Sequence, residues 1–311
     1  MQRWPELPYA AWKDTASTLQ LWTQIVGKTR LALTPWLNHS WHVTLSVTAR
    51  GLATPLISAG GQDLQIEFDF IDHVLWLRTS DGHQRRLSLR PMPVAEFYSD
   101  FLQLLSNTGM AVRLSDMPNE IADAIPFTRD FTHGAYDREF AERFWRVLLR
   151  SHDVFSRFRT SFLGKASPVH FFWGSFDLAV TRFSGRGAPR HPGGVPHLPD
   201  AIAREAYSHE VSSAGFWPGG GAIDYPAYYS YAYPAPAGFA EAQVKPAQAF
   251  FSETLSEFIL PYDAVRTAPD PERALIEFLE STYAAAADLG HWDRAHLECD
   301  IGRIGRPRPV E

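Results

Sequence analysis

The sequence predicts an α+β protein built from two similar halves, each a mostly antiparallel sheet flanked by helices, sharing one aromatic-rich core. Three observations indicate this class. Runs with apolar residues at helical spacing stand at both ends of each half. Runs that alternate apolar and polar residues lie between them. Aromatic residues make up 14% of the 311 residues, enough to supply large buried surfaces to a common core.

Apolar spacing and capping residues predict five helices. They are expected over about 12–26, from Pro93 to Gly109, from Asp137 to Gly164, from Pro246 to Pro261, and from Asp270 to Gly290. Gly27 stands where a left-handed C-terminal cap belongs. Asp137 and Asp270 are good N-caps, and Pro271 suits a first helical position.

Seven runs between the helices are typical of strands. They are 41–48, 64–70, 74–77, 86–90, 169–183, a strand around 209–211, and 228–233. Asp81-Gly82 predicts a tight hairpin turn before the fourth run. The alternation of apolar and polar residues indicates antiparallel strands that pack one face on a core.

The order of elements is the same twice, which suggests an internal duplication. Aligning Pro35 with Pro168 pairs the predicted strand 41–48 with 174–181. The predicted units are 1–125, 126–290 with insertions, and a disordered C-terminal tail over 291–311. The insertion 185–199 is rich in Gly, Pro and Arg and is expected as an exposed loop, and 116–137 as a surface crossover. The alternative is that any α+β protein contains such units.

Charge and composition exclude several classes of protein. The net charge of −6 gives no basic footprint for nucleic acid, and the single cysteine excludes a disulfide framework. No run approaches the ~18 apolar residues of a membrane span, and the N-terminus lacks the pattern of a signal peptide. We therefore expect a cytoplasmic protein with neither nucleic-acid nor membrane partners.

The densest polar and aromatic stretch lies between His170 and Arg182. Asp177 stands inside a run of apolar residues, and a buried carboxylate must be paired or protonated. Its partner is expected to be Arg182, Arg186 or a histidine of the other half. Asp177 is a candidate general acid or base, because perturbed carboxylates gather in clefts. The alternatives are a core ion pair and an exposed strand face.

Further candidates come from neighbouring runs. His209 and His42 are candidate acid–base groups, with structural histidines as the alternative. The remaining candidates are predicted to contact a ligand: Trp173, His170, Ser175, Tyr229, Tyr231 and Arg182. Glu67 and Asp69 share a strand face, where they would hold a hard cation or lie in solvent. No metal ligand is assigned, and no cofactor is indicated.

The stretch His170-Phe-Phe-Trp-Gly-Ser-Phe-Asp-Leu-Ala-Val-Thr-Arg-Phe-Ser-Gly185 resembles a known family, together with Trp4-Pro-Glu-Leu-Pro-Tyr9 and Tyr207-Ser-His-Glu210. These segments are similar to bacterial proteins grouped as domain of unknown function 5996. The resemblance extends from Trp4 to about Trp292. It implies a soluble bacterial protein and brings no activity, cofactor or catalytic residue with it.

The leading functional hypothesis is an enzyme that acts on a small molecule in a cleft between the halves. Asp177 with His42 or His209 would transfer protons, and Trp173 and the tyrosines would pack the substrate. The alternatives are a non-catalytic small-molecule binding module, a metal protein and a partner-binding scaffold. The enzyme hypothesis predicts that these side chains converge on one concave site.

Overall fold

The computed structural model describes residues 4–110 and 112–308, which contain seven α-helices and twelve strands. The helices are α1 (Tyr9–Leu33), α2 (Val94–Ser106), α3 (Arg138–Arg159), α4 (Asp200–Ala206), α5 (Tyr262–Arg266), α6 (Pro271–Leu289) and α7 (Arg294–Leu297). In the first half the strands are β1 (Ser46–Val47), β2 (Gly51–Ala53), β3 (Ile57–Ala59), β4 (Gln62–Asp69), β5 (Val74–Thr79) and β6 (Gln84–Ser88). In the second half they are β7 (His170–Phe172), β8 (Asp177–Gly187), β9 (His209–Trp217), β10 (Ala227–Tyr233), β11 (Phe250–Ser252) and β12 (Glu257–Pro261).

The strands form two antiparallel sheets of six strands, so the predicted α+β class is confirmed. The first sheet has the order β1-β2-β4-β5-β6, with β3 also paired to β4. The second has the order β11-β12-β10-β9-β8-β7. One hydrophobic cluster includes residues from both sheets and from the helices around them, among them Trp22, Phe68 and Phe144.

The two sheets meet at their edge strands. The backbone N–H of Leu45 donates to the carbonyl of Phe171 at 2.9 Å, and the reverse bond is 2.8 Å. This reciprocal pair is the antiparallel pattern of a sheet, and it joins the residue before β1 to β7. Both side chains are fully buried, so the seam is part of the core.

The predicted strand 41–48 is wrong except at its end. Residues 41–43 form a turn, in which Val43 N–H donates to the Ser40 carbonyl, and the Thr44 hydroxyl donates to the Trp41 carbonyl. Residues 42–45 are all buried, so the alternating pattern does not report one buried and one exposed face. The alignment of 41–48 with 174–181 places the turn 41–43 opposite the turn 174–176 and β1 opposite part of β8, but the two sheets differ in strand order.

The predicted helix from Pro246 to Pro261 is also wrong, because those residues form the β11–β12 hairpin. Phe251 pairs with Phe258 across it, and both rings pack on Phe239. Two adjacent apolar pairs separated by a turn satisfy helical spacing as well as strand pairing, so the pattern alone does not distinguish them. Similarly, the predicted strand 169–183 is divided by a turn at 173–176 into β7 and β8.

The caps of α3 and α6 are as predicted, and the end of α1 is not. Asp137 accepts from Glu139 and Phe140 N–H, and Asp270 accepts from Arg273 N–H. Helix α1 continues past Gly27 to Leu33. A Cβ atom on Gly27 would lie 2.1 Å from the indole nitrogen of Trp173, so this glycine makes room for a ring, and it does not cap the helix.

Part of the predicted tail packs on the second half. Residues 294–297 form α7, and Leu163 N–H donates to the Leu297 carbonyl at 2.7 Å. The prediction of disorder is therefore wrong for this segment, while 309–311 lie outside the described residues. None of the helices in the described part of the chain is long and apolar enough to cross a membrane.

Candidate functional site

A cavity of about 870 Å³ lies over one face of the second sheet. Helices α3 and α6 contact that sheet, and the alternate side chains of β8 to β10 form the cavity floor. The walls come from α1, from residues 36–43 and from residues 195–207. Residues 118–125, all of which line the cavity, form a segment we call the cover loop. The volume lies in the usual range for small-molecule sites.

Asp177, the first residue of β8, lies at the floor of this cavity and is only 6% exposed. Its carboxylate accepts hydrogen bonds from the hydroxyl groups of Ser175 and Tyr229. Burial raises the pKa of Asp177, and the two hydrogen bonds act in the opposite direction. No cation pairs with it among the described residues, so the predicted partnership with Arg182 or Arg186 is wrong.

Tyr229 reaches Asp177 across an intervening strand, because Gly215 leaves space for its ring. Tyr229 is on β10, Asp177 is on β8, and Gly215 of β9 is the direct neighbour of Tyr229. A Cβ atom on Gly215 would lie 2.3 Å from the Tyr229 hydroxyl oxygen and 2.5 Å from the Leu178 carbonyl oxygen. Only glycine at this position allows the tyrosine to cross the strand and bind the carboxylate.

Glu120 of the cover loop is a second carboxyl group in the cavity. Its side chain is accessible to solvent, and a Cβ atom on Gly174 would lie 1.9 Å from one of its carboxylate oxygens. Desolvation raises the pKa of Glu120 to about 7, and the charge of Asp177 contributes further. Both observations hold because Glu120 lies on the wall of a concave cavity, where its side chain reaches solvent while protein surrounds it.

Glu257, the first residue of β12, is a third carboxyl group in the cavity. Tyr229 pairs with Ile259, so Glu257, two residues away from Ile259, faces the same side of the sheet as Tyr229 and Tyr231. Desolvation raises the pKa of Glu257 to about 7, with a smaller contribution from Asp177. Two carboxyl groups therefore titrate near neutral pH beside a buried third one.

A hydroxyl network continues the polar floor. Tyr231 shares a hydrogen bond of 2.9 Å with Tyr207, which follows α4. Thr181 and Ser213, neighbours on β8 and β9, share one of 2.8 Å. Burial raises the pKa of Tyr207 and Tyr231, so both hydroxyls stay protonated at neutral pH and one of them donates in the bond that they share.

The cover loop is fixed to α1 by a pair of amide hydrogen bonds. Gln24 Nε2 donates to the Asn119 carbonyl at 2.9 Å, and Asn119 N–H donates to Gln24 Oε1 at 2.8 Å. Lys28 binds the Asn119 side chain, and Glu120 N–H donates to the Pro196 carbonyl at 2.9 Å. These bonds position Glu120, and they show that residues predicted as a surface crossover form a wall of the cavity.

The insertion 185–199 also contributes to the wall, although it was expected as an exposed loop. Val195 and Leu198 are half-buried and line the cavity, and Asn119 Nδ2 donates to the His197 carbonyl at 2.5 Å. The insertion is thus joined to the cover loop over the second sheet.

Five of the predicted site residues line this cavity: Asp177, Trp173, Ser175, Tyr229 and Tyr231. The indole N–H of Trp173 donates to the Val43 carbonyl at 2.8 Å, which fixes the ring against α1. Four others do not line it: His42, His209, His170 and Arg182. The convergence predicted for the carboxylate and the histidines is therefore wrong for His42 and His209.

Arg182 is on the opposite face of β8 from Asp177, because residues five positions apart on a strand point to opposite sides. Its guanidinium donates to the Phe158 carbonyl and, at 2.9 Å, to Ser161 Oγ. Its central carbon lies 3.5 Å from the centre of the Phe158 ring and 4.3 Å from that of Tyr283. Arg182 is a core cation held by aromatic rings.

The three predicted histidines have separate surroundings. His42 is buried, accepts from Leu37 N–H at 3.3 Å, and has its ring 4.6 Å from that of Trp36. His209 binds Ser208 Oγ at 3.0 Å, at the edge of β9 beyond the cavity. His170 is covered by the Phe172 ring, neither of its ring nitrogens has a hydrogen-bond partner among the described residues, and desolvation lowers its pKa to about 3.

Sequence reasoning missed Glu120, Glu257 and Tyr207. Glu257 lies within the predicted helix from Pro246 to Pro261, and Glu120 lies within the predicted surface crossover 116–137. One signal was available for Glu120, since it follows Pro118 and Asn119 in a segment with scattered apolar residues.

The strand positions Glu67 and Asp69 are bound to Arg78 and Arg50. Across 4–110 and 112–308, no group of three or more His, Cys, Asp or Glu is arranged to hold a metal ion.

Fold and site together define an α+β protein of two joined antiparallel sheets with one large cavity, in which carboxyl groups and aromatic rings face each other. The chain belongs to a family of unknown function, DUF5996, whose sequence model matches residues 4–299. The family resemblance found in the sequence is thereby confirmed. Neither a curated protein nor a solved structure matches the chain significantly.

Proposed function

We propose that this protein is an enzyme that acts on a small molecule in the cavity by carboxyl acid–base chemistry. The observation that carries the proposal is the placement of Asp177, Glu120 and Glu257 around one cavity, two of them with a pKa of about 7. General acids and bases work best when their pKa lies near the operating pH. Perturbed carboxyl groups in a cleft are typical of catalytic sites.

In this proposal the carboxyl groups have different roles. At neutral pH a protonated Glu120 or Glu257 donates a proton to the substrate, and an ionised partner accepts one. Asp177, fixed by Ser175 and Tyr229, orients the reacting group or holds the developing charge. His42 and His209, which do not line the cavity, take no part.

A non-catalytic binding module is the second candidate, and the aromatic walls favour it. Trp36, Trp41, Trp173 and Trp217 all line the cavity, and such walls bury ligand area with few polar groups. That hypothesis predicts at most one titratable residue at the site. The three carboxyl groups argue for chemistry. The bacterial origin and cytoplasmic location expected from the sequence stay predictions.

The test incubates the purified protein with a mixed extract of bacterial metabolites and follows the extract by mass spectrometry. We expect wild type to deplete one compound and form its product, with a bell-shaped pH profile around 7. Asp177→Asn and Glu257→Gln should lose this turnover, and Glu253→Gln, an exposed residue of the same hairpin, should keep it. Equal turnover by wild type and Asp177→Asn refutes the proposal. Retention of a compound without turnover supports the binding module.

A further inference from the structure

We propose that the cavity recognises an organic cation, a small molecule with an amine or guanidinium head and an apolar body. This inference rests on the proposed function and names its substrate class. It follows from the charge of the cavity wall, from the lack of partners for the carboxylates of Glu120 and Glu257, and from the aromatic rings that line the same cavity.

The wall of the cavity is one-sided in charge. Among its described residues the acidic ones are Glu120, Asp123, Asp130, Asp177 and Glu257. The same wall contains neither lysine nor arginine; its two histidines are His39 and His133, and His133 binds Asp130 at 2.8 Å. Lys28 and Lys165 do not line it and bind Asn119 and His39, respectively. A cavity with one sign of charge attracts ligands of the opposite sign.

The two cavity glutamates, of which Glu257 is half-buried and Glu120 is exposed to solvent, differ from other carboxylates of this chain. Glu67 pairs with Arg78 at 2.7 Å, and Glu210 pairs with Arg186 at 2.7 Å. Glu120 and Glu257 accept no hydrogen bond from the part of the chain that the structure describes, and the charge of Asp177 acts on both. For half-buried Glu257 the loss of water without a partner is costly, and a ligand cation would supply the missing partner.

Aromatic rings provide the second half of the recognition. Trp36, Trp41, Phe172, Phe183 and Trp217 line the same cavity as the carboxylates. Rings of this kind attract cations to their faces and bury apolar ligand surface. Two of them already do so within the protein. The ammonium of Lys165 lies 5.5 Å from the centre of the Trp41 ring and 4.6 Å from that of Phe183.

The inference predicts a particular dependence on pH. The groups that face Glu120 and Glu257 are Asp177, Tyr207, Tyr229 and Tyr231, and the tyrosines stay neutral. With a pKa of about 7, each glutamate is about one-tenth ionised at pH 6 and about nine-tenths at pH 8. A cation that requires one of them ionised binds about tenfold more weakly at pH 6 than at pH 8.

The experiment measures affinity of the full chain by calorimetry for three matched pairs: tryptamine and indole-3-ethanol, phenethylamine and phenethyl alcohol, cyclohexylamine and cyclohexanol. In at least one pair we expect the amine to bind at least tenfold tighter than its alcohol at pH 8. That preference should fall about tenfold at pH 6, while the alcohol is unaffected. Glu120→Gln and Glu257→Gln should each reduce the preference about tenfold, and Glu253→Gln should leave it unchanged.

The inference is overturned if no amine binds more tightly than its alcohol, or if the preference persists in both glutamine variants with native circular dichroism spectra. Its failure is distinguishable from that of the proposed function. Turnover of a neutral metabolite that depends on Asp177 refutes the proposed cation specificity and still supports the proposed enzyme activity. Selective amine binding without turnover of any amine refutes the proposed enzyme activity and still supports the cation site.

Discussion

Replacing Glu257 by glutamine is expected to stabilise the folded protein at neutral pH, relative to wild type, and to have no such effect in acid. The pKa of Glu257 lies at about 7 in the folded chain, against an ordinary 4.5. An acid whose pKa is raised on folding binds its proton more tightly in the native state. The resulting stabilisation is complete below about pH 4.5 and is lost as the pH rises to about 7.

The magnitude follows from the distance between the two pKa values. At about 1.4 kcal/mol per pH unit, the raised pKa of Glu257 contributes about 3 kcal/mol to the free energy of unfolding in acid. The contribution falls to about 2 kcal/mol once the partial exposure of this side chain is allowed for. Wild type should lose this amount of unfolding free energy between pH 4.5 and 7.5. Glu257→Gln, which has no proton to lose, should not.

The assay is urea unfolding followed by tryptophan fluorescence at pH 4.5, 5.5, 6.5 and 7.5, with the slope m compared between proteins. Glu253→Gln, exposed on the same hairpin, serves as the control and should follow wild type at every pH. If the difference between Glu257→Gln and wild type is the same at all four values, Glu257 titrates normally. In that case the cavity does not desolvate its carboxyl groups, and the acid–base proposal loses its main support.

Three further predictions test other parts of the structure. His170→Phe should remove an acid sensitivity, because the pKa of His170 is lowered to about 3 and wild type should lose about 2 kcal/mol between pH 6.5 and 5; parallel pH–stability curves by urea unfolding would contradict this. Gly215→Ala should cost about 1–3 kcal/mol of stability by displacing Tyr229, whereas Gly187→Ala, with open space around it, should cost little. Equal urea midpoints for the two variants would refute the claim that Gly215 makes room for the Tyr229 ring. Gln24→Leu should speed hydrogen exchange of the cover loop, because two backbone groups lose their partner, and unchanged exchange would show that the loop is fixed elsewhere.

Local patterns predicted the elements whose ends and faces depend on neighbouring residues. The N-caps Asp137 and Asp270 and the turn at Asp81-Gly82 are within a few residues of what they control, and each occurs as predicted. The position of Asp177 on a buried strand was predictable for the same reason. An isolated carboxylate among apolar residues indicates a special environment wherever the strand is placed.

The β11–β12 hairpin shows where local patterns fail. Its apolar pairs fit both a helix and two short strands, and what selects the strands is pairing of β12 with β10, which is distant in sequence. Glu257 was consequently assigned to the wrong kind of element, and its place beside Tyr231 was not foreseeable. Short segments are decided by tertiary contacts more than by their own propensity.

By itself the sequence determined the fold class, the main helices with their caps, the family, and one carboxylate and several aromatic residues of the site. Only the tertiary structure decided that Glu120 and Glu257 join Asp177, that Arg182 lies in the core, and that the histidines stay apart. The physical reason is that periodicity reports which face of an element is buried. It does not report whether that face meets packed helices or the wall of a cavity, since both give the same alternation.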